Sequence, residues 1–210
     1  MRDEAAILSA RSLFILISVV PMARPKSEEK RDAILAAAVR VVADQGLGAP
    51  TARIASLAGV AEGTLFTYFA TKDLLLNQLY LALKAELRDA MMTAYPAGGP
   101  LRDRVRHIWD RYVDWGVRDP AKRRAMAQLI VSDRLTPETR ALGSEGFARI
   151  DGVVREGVAQ GLMRDQPPDF VAAILTSLAE TTMDFILRQP DSAERYRAAG
   201  FDALWNALSR

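Results

Sequence analysis

The sequence predicts an all-α protein with about nine helices. Alanine, leucine and arginine dominate the composition and favour helices, whereas runs of β-branched residues are few. Apolar residues recur three and four positions apart along most of the chain, as they do on one face of a helix. No segment shows a convincing strand pattern, and no internal repeat is visible. We therefore expect helices packed on helices.

Composition restricts the chemistry that the protein can perform. Half of its 210 residues are hydrophobic, which is enough to bury a sizeable core. Cysteine is absent, which excludes disulfides and thiolate nucleophiles and suits the cytoplasm. The chain has one histidine, His107, which disfavours a metal site and a Ser-His-Asp triad. We expect no enzyme activity, no metal and no cofactor.

The net positive charge lies in one short segment. Residues 22–72 hold seven basic and five acidic side chains, whereas residues 73–210 hold 19 of each and residues 1–21 hold two of each. An excess of two charges is a weak indication of an anionic partner.

Residues 7–20 are mostly apolar but too few for a membrane span, which needs about 20 apolar residues. The segment also lacks the positive start and the cleavage site of a secretory signal. Met22 opens a stretch typical of the start of a soluble protein. We expect residues 1–22 to be an over-extended translation start. The alternatives are an arm that packs on the body or on a partner, and a secretion or anchoring segment.

Four helices are expected before the linker of residues 96–100. Hydroxyl side chains are placed to cap three of them, at Ser27, Thr51 and Thr71. Glycines end the first two, at Gly46 with Gly48 and at Gly59. A short helix over residues 61–69 precedes the long one. The long helix should bury one row of leucines, namely Leu74, Leu75, Leu79, Leu83 and Leu87.

The rest of the chain is expected to be helical. Prolines at first-turn positions start helices at Pro120, at Pro137 after the cap Thr136, and at Pro168. The expected spans are 101–117, 120–132, 137–161 with an interruption at 143–144, 168–190, and 191 onward.

Residues 51–69, TARIASLAGVAEGTLFTYF, carry the most informative pattern. Two short helices are joined by a tight turn, where Gly59 supplies a left-handed backbone. A small core of Ile54, Ala55, Val60 and Leu65 should fix their crossing angle. The second helix exposes small and hydroxyl-bearing residues, so its backbone could closely approach a surface. This is a helix-turn-helix pattern, whose second helix fits the major groove of DNA.

The stretch from Ile34 to Leu76 resembles the TetR/AcrR family of transcriptional regulators. The elements that carry the resemblance are Ile34 to Ala38, Ile54-Ala55, Ala58-Gly59-Val60, Gly63 to Phe66, Tyr68-Phe69 and Lys72 to Leu75. The resemblance implies an N-terminal helix-turn-helix DNA-binding domain over residues 23–76. It also implies a C-terminal ligand-sensing and dimerisation domain over residues 77–210. The expected function is a sequence-specific repressor of transcription, released by a small molecule.

Position by position, the resemblance implies a set of DNA contacts. Thr51 and Lys72 would contact phosphates. Thr64, Thr67 and Tyr68 would face the groove, with Gly63 allowing close approach. Arg53 is a further candidate for a base or phosphate contact, because guanidinium groups pair well with guanine edges. Family members usually have a serine or threonine at the position of Ala61, so the usual side-chain cap of the second helix is missing here. They usually have a tyrosine at the position of Phe66, which cannot make the phosphate contact of the tyrosine hydroxyl.

For residues 77–210, the resemblance implies a cavity for a small, largely apolar effector. The candidate lining residues are Trp109, Tyr112, Trp115, Met126 and Phe147. Aromatic residues at helical spacing also occur in ordinary cores, and both interpretations stay open. His107, with Asp103 one turn earlier, would hold a polar ligand group, or it would be a solvated or core-edge histidine.

The last two helices are expected to form a homodimer, because one recognition helix reads too few bases for an operator. Their apolar stripes are Val171, Leu175, Leu178 and Phe185, then Phe201, Leu204 and Trp205. The alternatives to this whole interpretation are a helical-bundle enzyme and an interaction module without a DNA role. An enzyme is disfavoured because the chain has no Glu-x-x-His pair, no Gly-Lys phosphate loop and no Gly-x-Ser-x-Gly motif.

Overall fold

The computed structural model describes residues 26–210, and the expectations for residues 1–22 lie outside that part. Ten α-helices and no strand occur between Lys26 and Arg210, which confirms the all-α prediction. The helices are α1 (Lys26–Gln45), α2 (Thr51–Leu57), α3 (Glu62–Tyr68), α4 (Lys72–Met92), α5 (Leu101–Arg118), α6 (Pro120–Ile130), α7 (Pro137–Glu145), α8 (Ala148–Ala159), α9 (Pro168–Arg188) and α10 (Ala193–Leu208).

The extra helix arises where one long helix was expected. The break between α7 and α8 lies at residues 146–147, three positions after the expected interruption. A short 3-10 turn, Pro190–Ser192, precedes α10.

Two of the expected caps are confirmed and two are wrong. The hydroxyl of Thr71 accepts from the Leu74 N–H at 3.0 Å, and that of Thr136 from the Thr139 N–H at 3.2 Å. Ser27 lies inside α1, which already begins at Lys26. Thr51 is the first residue of α2, so Pro50 occupies the cap position and supplies no side-chain bond.

The N-terminal unit, α1 to α3, packs around buried side chains of α1. Ile34, Ala38 and Val41 of this helix are buried together with Ile54 and Leu65. The start of α4 joins the same core through Leu75, Leu76 and Leu79. Leu74 is an exception to the predicted row of leucines, because its side chain is exposed.

In the C-terminal domain, α5 packs against α4, α8, α9 and α10. Trp109 of α5 is fully buried, and its indole N–H donates to the Arg197 carbonyl of α10. A Cβ at Gly200 would lie 2.6 Å from the Trp109 ring and 2.3 Å from the Thr182 hydroxyl, so only glycine fits there.

Two helices join the C-terminal domain to the N-terminal unit. Helix α4 runs through both. Helix α6 packs along α1, where the Gln128 amide donates to the Val42 carbonyl at 3.0 Å and Arg124 pairs with Asp44 at 3.4 Å. A movement of either helix therefore reaches the N-terminal unit directly.

Candidate nucleic-acid interface and ligand cavity

The turn between α2 and α3 has the geometry that the sequence predicts. Gly59 has a φ of +69°, in the left-handed region. Its N–H donates to the Ser56 carbonyl at 3.2 Å, and the Val60 N–H donates to the Ala55 carbonyl at 3.0 Å. These two bonds form a Schellman motif, which ends α2 and sets the direction in which α3 leaves.

Helix α3 packs on the core through one side. Leu65 and, just after the helix, Phe69 are buried, and the Arg31 guanidinium lies 5.6 Å from the centre of the Phe69 ring. On the other side, Glu62, Gly63 and Thr67 are exposed. The helix therefore presents a free face of small and hydroxyl-bearing residues to solvent.

The start of α3 is tied to the start of α2. Ala61 occupies the cap position of α3 and supplies no side-chain bond, as its residue type predicts. Instead, the Thr51 hydroxyl donates to a Glu62 carboxylate oxygen at 2.6 Å. Sequence reasoning missed this bond, because no local pattern pairs residues eleven positions apart across a turn.

Lys72 also has an intramolecular partner. Its ammonium donates to the Ala49 carbonyl at 2.7 Å and so fixes the loop before α2 to the start of α4. Burial, followed by the charge of Arg134, lowers the pKa of Lys72, while Asp73 opposes that shift. An ammonium has three donors, so this bond leaves others for a phosphate. Thr51 lies two residues after Ala49, so the structure brings the two predicted phosphate contacts to the same edge.

Of the other predicted DNA-contacting residues, Arg53 lies on α2, whereas Gly63, Thr64, Thr67 and Tyr68 lie on α3. Arg53 is exposed, and Thr64 and Tyr68 are half-buried. The Thr67 hydroxyl donates to the Gly63 carbonyl one turn earlier, at 3.1 Å. A Cβ at Gly63 would meet no atom within 4 Å, so nothing inside the protein requires a glycine there. Phe66 is 41% exposed and has no hydroxyl to offer a phosphate.

A cavity of about 150 Å³ lies within the C-terminal domain. Its wall is mostly apolar and comes from α4, α5, α6, α8, α9 and the last residue of α10, with Met163 and the residue before α8. Of the predicted lining residues, Tyr112, Met126 and Phe147 are part of this wall. Engineered apolar cavities of similar volume bind benzene-sized molecules.

Trp109 and Trp115 lie elsewhere in the core and not in the cavity wall. The Trp109 indole N–H donates to the Arg197 carbonyl of α10 at 3.1 Å, and that of Trp115 donates to the Glu86 carboxylate at 3.1 Å. Helical spacing places a side chain on a face, but it does not distinguish a packed face from one that lines a void. His107 is also outside the wall, with its Nε2 3.0 Å from the Thr93 carbonyl oxygen.

Four polar side chains reach the cavity wall. Tyr112 and Thr176 are hydrogen-bonded to each other. Burial, with a contribution from Glu180, raises the pKa of Tyr112 to about 12. Lys84 and Asp151 are the other two. The sequence did not predict them as lining residues, because charged residues on amphipathic helices are usually on the solvent-facing side. Residues 26–210 contain no group of three or more histidine, aspartate or glutamate side chains that could hold a metal.

Helix α9 is strongly apolar and poorly covered. It is the only helix in the described part that is long and apolar enough to cross a membrane, with a mean hydropathy of 1.5. That is a weak indication of a span, and only 28% of the apolar window is buried inside the chain. Of the stripes predicted for a subunit interface, Val171, Phe201 and Leu204 are core residues, whereas Leu175, Leu178 and Trp205 are half-buried and Phe185 is exposed.

Comparisons with known proteins agree with this geometry. Residues 34–79 match the family model described as "Bacterial regulatory proteins, tetR family". The chain is 30% identical over 150 residues to the HTH-type transcriptional repressor NicS of Pseudomonas putida, which covers 67% of this chain and 68% of NicS.

Solved structures extend the likeness over both parts of the molecule. A tetR family transcription regulator from Shewanella sp. PV-4 superimposes with a TM-score of 0.79 at 28% identity, covering 86% of this chain and 98% of that one. The regulator LfrR of Mycobacterium smegmatis, solved in complex with proflavine, superimposes with a TM-score of 0.62. At 22% identity, over 84% of this chain and 95% of LfrR, that likeness concerns the fold alone.

Proposed function

Because this chain belongs to the tetR family of bacterial regulatory proteins and is a DNA-binding transcriptional regulator, we propose that it is a dimeric repressor released from its operator by a small molecule. Its partners are double-stranded operator DNA, an effector and a second copy of itself. It acts in the cytoplasm, where bacterial DNA is accessible. The family consists of transcription regulators, and we assign this chain no catalytic role.

One observation carries the proposal of ligand control. Helix α6 places Met126 and Ile130 in the cavity wall, while Arg124 and Gln128 of the same helix bond to α1. A molecule that fills the cavity therefore pushes on a helix that holds the DNA-binding unit. Helix α4 offers a second route, because Lys84, Leu87 and Met91 line the cavity and Lys72 holds the loop before α2.

The DNA contacts that we assign follow from exposure and from the family pattern. Thr51 and Lys72 contact phosphates at the edge of the motif. Arg53, Gly63, Thr64, Thr67 and Tyr68 lie on or beside the face that enters the groove. Two such faces must lie about 34–36 Å apart, one DNA turn, to enter successive major grooves. A ligand that changes this spacing lowers operator affinity, and typical couplings between sites are about 5–150-fold.

The DNA-binding role is tested by selecting the operator from a pool of random duplexes with the purified full chain. We expect an enriched, two-fold symmetric sequence. The logarithm of its affinity should fall against the logarithm of salt concentration, with a slope near −0.9 per neutralised phosphate. A shuffled duplex of the same length is the control. Enrichment of no sequence, or affinity that ignores salt, would contradict the proposal.

The dimer that we propose forms through α9 and α10. The poor coverage of α9 supports it, since an apolar helix face of this length is usually hidden by another surface. Phe185, 38% exposed and in contact with the Tyr196 ring of α10, is central to this surface.

Sedimentation velocity of Phe185→Asp tests the dimer. The variant should be monomeric and should lose operator affinity, because both half-sites must be bound together. Leu142→Asp is the matched control, since Leu142 is 55% exposed but lies on α7. It should remain dimeric. A Phe185→Asp protein that stays dimeric would place the interface elsewhere.

A further inference from the structure

The cavity is apolar apart from one charged corner. Lys84 of α4 and Asp151 of α8 line that corner, whereas the remaining polar pair, Tyr112 and Thr176, is satisfied internally. The corner formed by Lys84 and Asp151 is therefore the one part of this cavity wall where a ligand meets charged side chains that have no salt-bridge partner in the described part of the chain.

Lys84 is the charge that most lacks a partner. Its ammonium lies 4.0 Å above the centre of the Phe147 ring, and both side chains line the cavity. No carboxylate of residues 26–210 forms a salt bridge with Lys84, although Asp151 is near enough to favour its charged form. Burial lowers the pKa of Lys84, as expected for an ammonium in apolar surroundings. An unpaired, largely buried charge destabilises the folded chain, and a bound anion would remove that cost.

Asp151 is less suited to recognise a ligand. It also lines a second, neighbouring groove, whose other polar residues are Arg155, Asp165 and Gln166. Lys84 lines the apolar cavity and is not part of that groove. An anion in this cavity would therefore be attracted mainly by Lys84, with Asp151 opposing it at the edge.

On the basis of the proposed function, we propose that the effector is a small carboxylic acid with an apolar body, whose carboxylate pairs with the Lys84 ammonium. The cavity volume of about 150 Å³ sets the size of that body near a single aromatic ring. The wall formed by Leu87, Ile108 and Met126 covers the ring, while the carboxylate takes the place beside Phe147. Charge-assisted hydrogen bonds of this kind are stronger than neutral ones.

Three matched probes test the charge preference: benzoate, benzamide and benzylamine. They share one ring and differ in charge, so calorimetry with the full chain isolates the effect of the carboxylate. We expect benzoate to bind at least about tenfold more tightly than benzamide, and benzylamine to show no binding. The Lys84→Met variant should lose that preference and bind benzoate and benzamide alike. Lys30→Met, which removes an exposed lysine of α1, should bind benzoate as the parent does.

A second measurement guards against a variant that simply fails to fold. Without ligand, Lys84→Met should melt at a higher temperature than the parent, because it removes an unpaired, largely buried charge.

The proposal is overturned if benzoate does not bind at millimolar concentration, if benzamide or benzylamine binds as tightly, or if Lys84→Met keeps the preference for benzoate. Release of operator DNA by benzamide but not by benzoate would reject the carboxylic acid and keep ligand-controlled repression. Failure to bind any duplex specifically would reject the repressor itself.

Discussion

The two candidate sites of this protein are built from residues with opposite roles in the fold. Side chains on the groove face of α3 lie mostly outside the core, and Gly63 has open space where a side chain would stand. In the cavity, by contrast, Tyr112 and Met126 are buried, and they stabilise the domain whose void they line. Substitutions on the groove face should therefore change DNA binding with little effect on stability. Substitutions in the cavity wall should change both stability and ligand binding.

The sharpest test of this contrast compares Tyr112→Ala with Thr67→Ala. Removing a buried aromatic side chain typically costs about 3–5 kcal/mol of folding free energy, since it enlarges a void and deletes packing. Thr67 is exposed, and its replacement should change stability by no more than about 0.5 kcal/mol. Urea unfolding of both variants measures the difference. If Tyr112→Ala were as stable as the parent, the cavity wall would be far looser than its packing indicates.

The hydroxyl of Tyr112 should also make the cavity domain sensitive to alkali. Its pKa of about 12 in the folded chain lies above the value near 10 of an unfolded tyrosine, because burial disfavours the phenolate. The resulting stabilisation is complete below about pH 10 and is lost as the pH rises towards about 12, up to roughly 2–3 kcal/mol in all. Urea unfolding at about pH 9 and about pH 11 should show a larger loss for the parent than for Tyr112→Phe. Equal losses in the two proteins would mean that Tyr112 titrates normally.

Substituting Lys72 should affect both stability and DNA binding, because its side chain holds the fold together and also makes the proposed DNA contact. Lys72→Ala should weaken binding to all duplexes alike, since phosphates carry no base information. It should also destabilise the chain by about 0.5–1.5 kcal/mol, through loss of the bond to the Ala49 carbonyl. Arg53→Ala, at an exposed position, should weaken DNA binding without that loss of stability. Anisotropy titrations and urea unfolding test the pair, and a Lys72→Ala protein with an altered preferred sequence would contradict the phosphate assignment.

The sequence predicted the N-terminal unit better than the cavity, for a physical reason. The turn at Gly59 and the cap at Thr71 depend on local geometry, which short sequence patterns encode. The cavity depends on how six helices meet. Helical spacing predicted both Trp109 and Tyr112 as lining residues, although only Tyr112 reaches the void. The bonds Thr51–Glu62 and Lys72–Ala49 were missed because they join segments across turns, where spacing carries no signal.

The smallest expected effect is that of Gly63→Ala. It separates folding from DNA binding most clearly, because stability should rise while operator affinity falls. Alanine is favoured over glycine inside a helix by roughly 0.5–1 kcal/mol, and the new Cβ at Gly63 would touch nothing in the free protein. Gly63→Ala should therefore raise the free energy of unfolding by up to that amount. It should also weaken operator binding, because the methyl group occupies space that the DNA needs.

Gly152→Ala is the matched control: Gly152 lies inside α8, and the nearest atom to its added Cβ would be an Arg155 nitrogen 4.0 Å away. That variant should gain the same stability and bind the operator like the parent. If Gly63→Ala bound the operator unchanged, the backbone at the start of α3 would not approach the DNA closely, and the glycine there would have no role in the free or the bound protein.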